Sequence, residues 1–416
     1  MRHTKVWMLI ILFISVLVVS CNKEPEGDPP VAGFTADKTA VATGESIQFT
    51  DASTESPTSW SWDFGDGNNS TSQNPTHSYD TEGTYSVSLT ATNEFGSDDV
   101  TMTDYITVTT AASESEILIS YLESTSSPYG KYYVNTDMPA IKSAEYVKTM
   151  MATDEEYIID IRAAADYDTA HIEGAVNLGA GSVLNHIQTV DSVSNYTDII
   201  IVCYTGQTAA WLTSLLRLAG IDNVYSMKWG MCSWHDDFAS RWKNAVSNSA
   251  AALDFDQVAV DKGPEGDLPA LSTGFDTGAD ILEARLDVVL AEGFGAAAVS
   301  KTAVLDNKDD YYIVNYWPAA EYADPGHIIG ARQYEPKQDI ALDAALKTLP
   351  TDKTIVVYCY TGQNSANLAA YLRLVGYDAK SLTYGTNGMI YDLMTKSKWV
   401  DTEIKGYDYW YSPPAP

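Results

Sequence analysis

The chain has 416 residues, of which 45% are hydrophobic and 19% charged, so it is long enough for three domains of ordinary size. Its 56 acidic residues outnumber its 25 basic residues and leave a formal net charge of −31. A field of that sign repels nucleic acid and anionic lipid headgroups, which excludes nucleic acid as an expected partner.

The first twenty residues have the pattern of a bacterial lipoprotein signal peptide. A basic start precedes a short apolar run over 6–19, and Val-Val-Ser stands before Cys21. Such a signal is cleaved before the cysteine, which then carries the lipid. We expect loss of residues 1–20, an acidic tether over 21–30, and a lipid anchor in the cell envelope, at the periplasmic or surface face of the outer membrane. The alternative is an uncleaved anchor helix, although the apolar run is short for a membrane span.

Residues 31–110 predict an all-β module, because short alternating segments are separated by turn residues at the spacing of a β-sandwich. Trp62 and Phe64 alternate onto one face, and Asp66 with the glycine after it forms a hairpin turn. The segments WDFGDG, HSY and GTY resemble those of PKD domains, an immunoglobulin-like family. The resemblance implies a spacer or a domain with a protein or glycan partner. Asp63 and Asp66 suggest calcium, but acids at a turn more often bind backbone N–H groups, so we expect no metal.

The pentapeptide CYTGQ occurs twice, starting at Cys203 and at Cys359. Each time a β-branched, apolar run leads into it, and a helical pattern closed by glycine follows. The segments upstream align at nearly the same offset, which indicates two copies of a whole domain. We place these domains at 115–250 and 265–400, with residues 401–416 as a C-terminal tail.

In the first copy, apolar strand candidates alternate with amphipathic helices. This alternation predicts an α/β fold with a parallel sheet wrapped by helices, which binds ligands at the C-terminal ends of its strands. Cys203 lies at such an end. The strand candidates are 157–159, 175–177, 199–202 and 224–227.

Each cysteine stands between a buried strand and a tight glycine turn that opens a helix. The sulfur is therefore expected above several backbone N–H groups and at the positive end of a helix dipole, where a thiol pKa is lowered. Cys203 and Cys359 are accordingly the candidate nucleophiles. The residues expected to line the substrate loops are Tyr204, Thr205, Gly206, Gln207 and Thr208 in the first copy and Tyr360, Thr361, Gly362, Gln363 and Asn364 in the second.

The ordered motifs of both copies resemble those of the rhodanese (sulfurtransferase) family. They are the strand end Asp160-Ile-Arg162, the His171-Ile-x-Gly-Ala segment, the loop CYTGQT and the later Trp229-Gly-Met. The resemblance implies a cysteine persulfide that takes sulfur from thiosulfate, a persulfide or a polysulfide and passes it to a thiol or cyanide, with no metal or organic cofactor. It makes Asp160, Arg162 and Asp166 structural support, with Arg162 and Asp166 close enough in sequence to pair.

The surroundings of the two loops differ in sequence. Neither loop contains Lys or Arg, which argues for a neutral persulfide or polysulfide donor over dianionic thiosulfate. In the second copy Asn315 and Trp317 stand where the first has its Asp-Arg pair, which leaves Glu321 without a guanidinium partner. We therefore expect Cys203 to have the lower thiol pKa and to react faster than Cys359.

Two other functions compete with sulfur transfer. Phosphatases and arsenate reductases of related fold need an arginine six positions after the cysteine, where this chain has Ala209 and Ser365. A non-catalytic lipoprotein that uses the rhodanese fold to bind or sense sulfur remains the alternative. Three unlipidated cysteines do not make a disulfide framework, and the role of Cys232 stays open.

Overall fold

The computed structural model describes residues 27–128, 138–250 and 254–411. The predicted signal peptide and Cys21 lie outside these residues. The chain divides into two units, Met1–Ala111 and Ala112–Pro416. Within the part of the chain that is described, no helix is both long and apolar enough to cross a membrane.

The first unit is the predicted β-sandwich. Its strands are β1 (Phe34–Ala36), β2 (Ala40–Ala42), β3 (Ser46–Asp51), β4 (Ser59–Asp63), β5 (Asn69–Ser70), β6 (Thr76–Ser78), β7 (Gly83–Asn93) and β8 (Gly96–Thr109). One sheet has the order β1-β3-β6 and the other β2-β8-β7-β4-β5. Facing sheets of this kind bury alternate residues of each strand.

The core of the sandwich is aromatic, as the alternation of Trp62 and Phe64 predicts. Both side chains are buried, and their ring centroids lie 5.8 and 5.3 Å from that of Phe49. Asp63 and Asp66 each accept a hydrogen bond from the backbone N–H two residues further on, at 2.9 and 3.0 Å. The two carboxylates therefore organise the turn.

The second unit contains two copies of one α/β arrangement. The elements of the first copy are α1 (Glu114–Leu122), β9 (Ile141–Lys142), α2 (Ala144–Met151), β10 (Glu156–Asp160), α3 (Ala164–Thr169), β11 (Ala170–His171), β12 (Val176–Asn177), α4 (Val183–Thr189), β13 (Asp198–Val202), α5 (Gln207–Leu218), β14 (Val224–Met227), α6 (Met231–Trp234) and α7 (Ser240–Ala245). Five of the strands form a parallel sheet in the order β12-β10-β13-β14-β9. The four strands predicted for this copy are β10, β12, β13 and β14.

The second copy repeats that sheet. Its elements are β15 (Phe255–Asp256), α8 (Gly278–Ala296), β16 (Ala298–Val299), α9 (Lys301–Asp306), β17 (Tyr312–Asn315), α10 (Ala319–Ala323), β18 (His327–Ile328), β19 (Arg332–Gln333), β20 (Ile355–Tyr358), α11 (Gln363–Leu374), β21 (Ala379–Leu382) and β22 (Trp410–Tyr411). The parallel order is β19-β17-β20-β21-β16, which matches the first copy strand for strand. The two copies are confirmed as duplicates in fold.

The copies pack through the helices that follow the cysteine loops. Buried apolar residues of α5 and α11 belong to one continuous hydrophobic core. The Ser214 hydroxyl donates a hydrogen bond to the Asn367 carbonyl oxygen at 3.0 Å across this interface. The two copies therefore share one core and one buried hydrogen bond through the middle of these helices.

The segment that follows each copy pairs with a strand of the other copy. β15 follows the first copy and pairs antiparallel with β18, whereas β22 follows the second copy and pairs with β11. The C-terminal segment is therefore more than a tail, because its Trp410 ring stacks on His171 with centroids 4.7 Å apart. The Trp234 indole also donates a hydrogen bond to the Asp408 carbonyl oxygen at 3.0 Å. These contacts depend on distant backbone groups, which local sequence patterns do not reveal.

Candidate active site

The first cysteine loop connects β13 to α5. Cys203 follows the last residue of the strand, and Gly206 adopts a left-handed conformation (φ 83°) that turns the chain into the helix. The Cys203 Sγ accepts hydrogen bonds from the N–H groups of Gly206 at 3.2 Å and Ala209 at 3.4 Å. The predicted cradle of backbone donors is present, and it encloses a side chain that is only 6% exposed.

Enclosure has an electrostatic consequence for Cys203. Burial raises the pKa of its thiol above the ordinary value of 9.0, and this outweighs the lowering by the N–H groups of Ala209, Thr205 and Gly206. The negative charge of Asp160 adds to the rise. The sequence-based expectation of a depressed pKa is therefore wrong for this enclosed loop, because a thiolate there loses more from dehydration than it gains from backbone donors.

The second loop repeats the arrangement between β20 and α11. Cys359 Sγ accepts hydrogen bonds from the N–H groups of Gly362 at 3.2 Å and Ser365 at 3.3 Å. The Ser365 hydroxyl oxygen also lies 3.5 Å from this sulfur, at the position that Ala209 occupies in the first loop. The Cys359 thiol donates this hydrogen bond to the Ser365 hydroxyl, so the second site has a side-chain hydroxyl beside the sulfur that the first site lacks.

A buried ion pair supports the first loop. The Arg162 guanidinium donates to both carboxylate oxygens of Asp160, with its Nη2 2.6 Å from Oδ2, and also to the Ala170 carbonyl oxygen at 2.7 Å. Both charged side chains are buried. The predicted supporting role of Asp160 and Arg162 agrees with this geometry, but the ionic partner of Arg162 is Asp160 and not Asp166.

Asp166 instead lies near the tyrosine of the first loop. Burial together with the Asp166 carboxylate raises the pKa of Tyr204. Two guanidinium groups lie over the Tyr204 ring, with the Cζ atoms of Arg162 and Arg241 at 5.1 and 3.8 Å from its centroid. Arg241 is exposed and lines the cleft beside the loop together with Tyr409.

The second loop is supported by uncharged side chains at the corresponding positions. The Asn315 amide donates a hydrogen bond to the Tyr358 hydroxyl at 2.8 Å. The Trp317 ring stacks on Tyr360 with centroids 4.4 Å apart and planes at 11°. These contacts replace the ion pair and the guanidinium of the first copy.

Glu321 has partners of its own. It accepts hydrogen bonds from the Tyr360 hydroxyl and from the Lys396 ammonium group. Glu321 has no guanidinium partner, as expected, but a lysine 75 residues later supplies a cation in place of the arginine. Its negative charge neutralises the ammonium group beside the second loop.

Comparison with known proteins identifies both kinds of domain. Residues 27–108 match the family model described as a PKD domain, and residues 143–237 and 300–390 match the one described as a rhodanese-like domain. The protein described as "Thiosulfate sulfurtransferase GlpE" of Shewanella oneidensis is 32% identical over 79 residues, which cover 19% of this chain and 75% of that protein. The chain belongs to the rhodanese family.

Two further similarities are to a collagenase and to a PKD domain of known structure. A 57-residue stretch is 49% identical to a microbial collagenase of Vibrio alginolyticus and covers 13% of this chain but only 7% of that enzyme. The PKD1 domain of Vibrio anguillarum Epp is 33% identical, with 20% of this chain and 100% of that domain covered and a TM-score of 0.18.

The remaining predicted loop residues of this rhodanese tandem divide into two sets. The Thr205 and Thr361 hydroxyls accept hydrogen bonds inside their own loops, from the Gln207 side-chain amide at 3.2 Å and from the Gln363 backbone N–H at 3.1 Å. Thr208 and Asn364 are half-buried in the first turns of α5 and α11. Sequence reasoning missed Arg241 and Lys396, since neither belongs to a motif and only the fold brings them to the loops.

The third described cysteine is not part of either loop. Cys232 is a free thiol whose Sγ donates to the Phe238 carbonyl oxygen at 3.0 Å, and burial raises its pKa to about 12. Across residues 27–128, 138–250 and 254–411, no group of three His, Cys, Asp or Glu side chains could hold a metal ion.

Proposed function

We propose that this protein is an extracytoplasmic sulfurtransferase that carries sulfur as a persulfide on Cys203, with Cys359 as a second carrier. The observation that supports it most directly is the pair of thiols, each under two converging backbone N–H groups at a helix start. Such donors stabilise a sulfur anion, either the attacking thiolate or the terminal sulfur of a persulfide.

The reaction needs no cofactor. The Cys203 thiolate attacks the sulfane sulfur of the donor, a new S–S bond forms, and the bond to the leaving group breaks, so that thiosulfate releases sulfite with the electron pair. A thiolate or cyanide then attacks the terminal sulfur and takes it, and the cysteine leaves as a thiolate. Electrons balance within the two displacements, and no oxidant is required.

The cleft of the first copy favours an anionic donor. The loop itself contains no Lys or Arg, yet the exposed Arg241 from a later segment lies over Tyr204. A guanidinium at the rim can pair with a sulfonate or a persulfide anion. Thiosulfate, persulfide and polysulfide all remain donor candidates, and Arg241 gives the first loop a way to hold a negative charge.

Burial supports the alternative function, a non-catalytic protein that binds or senses sulfur. Cys203 and Cys359 are 6% and 2% exposed, so a donor reaches either sulfur only after a local opening. Intact-mass spectrometry after exposure to thiosulfate or a polysulfide separates the two functions. We expect one added sulfur atom on Cys203 and turnover to cyanide that falls at least about a hundredfold in Cys203→Ser, since the nucleophile is lost.

The control is Cys232→Ser, which removes a thiol that neither loop uses but keeps the Cys232 backbone N–H that donates to the Tyr204 carbonyl oxygen, so turnover should be unchanged. Turnover that persists in Cys203→Ser but disappears in the Cys203→Ser, Cys359→Ser double variant would move the main site to the second copy. A wild-type protein that takes up no sulfur from any donor would contradict the proposal.

The extracytoplasmic location rests on residues 1–21 alone. Lipidation at Cys21 predicts that the protein sediments with membranes and that Cys21→Ala releases it. Unchanged membrane association of Cys21→Ala would instead favour an uncleaved anchor. A protein or glycan partner of the PKD domain is likewise proposed from the sequence alone, because its motifs resemble those of PKD domains.

A further inference from the structure

The two cysteine loops touch each other through a glycine and a glutamine from each copy. A Cβ added to Gly206 would lie 2.5 Å from the side-chain Nε2 of Gln363, and one added to Gly362 would lie 2.5 Å from the Oε1 of Gln207. Both glutamine side chains are buried, at 2% and 1% exposure. Each glutamine side chain therefore reaches the glycine turn of the other copy's loop.

Each loop is covered by a short segment that we call a clasp. The first clasp is 229–232, in which the N–H groups of Met231 and Cys232 donate to the carbonyl oxygens of Cys203 and Tyr204 at 2.9 and 3.1 Å. The second clasp is 384–387, which makes the corresponding two bonds to the carbonyl oxygens of the second loop at 3.0 and 3.2 Å. These hydrogen bonds hold the backbone of each reactive cysteine in place.

The first residue of each clasp has a strained backbone. Trp229 and Tyr384 both have φ 62°, a left-handed conformation that costs a bulky residue energy and needs support from its surroundings. That support crosses between the copies. Gln207 Oε1 accepts a hydrogen bond from the Tyr384 N–H at 2.8 Å, and Gln363 Oε1 accepts one from the Trp229 N–H at 3.4 Å.

A second contact ties Gln363 to the first loop. Its Nε2 donates to the Gly206 carbonyl oxygen at 3.4 Å, while Gln207 Nε2 donates within its own loop to Thr205. The aromatic rings around the clasps also meet across the copies, with the centroids of Trp242 and Tyr384 4.9 Å apart, while Trp242 lies 4.7 Å from Trp229 within the first copy. Movement of one loop therefore changes the support of the other clasp.

We propose that Gln207 and Gln363 are positioning residues that couple the two sites, each holding closed the clasp over the cysteine of the other copy. Since both thiols are buried, each reacts only when its loop opens, and the glutamine of the other copy sets how often that happens. Loading one cysteine displaces its own loop and glutamine, and this loosens the clasp over the other. The proposal concerns thiol reactivity and holds whether or not either cysteine transfers sulfur.

The test compares Gln207→Met and Gln363→Met in the full chain, because methionine keeps the length of the side chain and removes its acceptor. Iodoacetamide labelling of each cysteine is followed by peptide mapping between pH 6 and 10. We expect Gln207→Met to speed labelling of Cys359 by about fivefold, the equivalent of one lost hydrogen bond of about 1 kcal/mol, and to affect Cys203 less. Gln363→Met should mainly speed labelling of Cys203. The factor should be smaller, because the hydrogen bond from the Trp229 N–H to Gln363 is longer than the one from the Tyr384 N–H to Gln207.

The pH profile separates positioning from a general loss of stability. Opening of the first clasp lets water reach Cys203, so Gln363→Met should move the labelling midpoint of Cys203 downward, toward the ordinary thiol value. Ser214→Ala alters the same helix interface away from the clasps and should leave both rates unchanged.

Crossed effects with an unchanged Ser214→Ala control would establish the coupling. The proposal is overturned if each methionine variant changes only the cysteine of its own copy, or if neither differs from Ser214→Ala. It is also overturned if both variants speed both cysteines equally with no change in pH midpoint, which is the result of simple destabilisation.

Discussion

The two cysteine loops have the same backbone and different neighbours. In both, a parallel strand, a left-handed glycine and a helix start direct two N–H groups at the sulfur, and a carboxylate lies near the loop tyrosine. In the first copy that tyrosine lies under two arginines, whereas in the second it stacks on Trp317 beside a lysine that Glu321 neutralises. The cradle for a sulfur anion thus comes from local chain geometry, while the charge at its rim comes from separate segments and has diverged.

The largest difference that can be tested is the buried ion pair of the first copy. We expect Arg162→Met to lower the free energy of unfolding by about 3 to 5 kcal/mol, because it leaves the Asp160 carboxylate buried and without its cation. Urea denaturation measures the loss. The double variant Asp160→Asn, Arg162→Trp transfers the uncharged pair of the second copy and should recover most of it. A loss below about 1 kcal/mol for Arg162→Met would show that the loop does not depend on the pair.

The sequence was sufficient for the fold and for the position of both thiols, because strand, glycine turn and helix are neighbours along the chain. It was insufficient for the electrostatics. Arg241 and Lys396 reach the loops from segments without a motif, and the pKa of Cys203 depends on how completely the other parts of the fold exclude water. The pairing of β15 with β18 and the pairing of β22 with β11 were missed for the same reason, since each joins residues far apart in sequence.

The next prediction concerns the rim cations. If Arg241 receives an anionic donor, Arg241→Gln should lower kcat/KM for thiosulfate by about tenfold, roughly the value of a hydrogen bond to a charged group. Lys396→Gln is the matched control, and its effect should stay below about twofold because Glu321 already pairs with that ammonium group. Steady-state assays with thiosulfate and with a neutral trisulfide compare the donors. Equal losses in the two variants would contradict the assignment of donor binding to the first copy.

The smallest expected effect comes from the single hydroxyl that separates the two sulfur cradles. Ala209→Ser places beside Cys203 the hydroxyl that Ser365 provides beside Cys359, where the thiol donates to it. Once the sulfur is ionised such a hydroxyl can rotate and donate to it, which lowers a thiol pKa. Burial raises the pKa of Cys203 above 9.0, so at neutral pH its reactive thiolate is scarce and grows about tenfold for each pH unit below that pKa. A downward shift of about half a unit should therefore speed iodoacetamide labelling at pH 7 by about threefold and move the labelling curve to lower pH. Ser365→Ala is the reciprocal change and should slow labelling of Cys359 to a similar extent. If neither curve moves, the hydroxyl does not distinguish the sites, and the sequence-based ranking of Cys203 ahead of Cys359 has to be decided by the arginines around Tyr204.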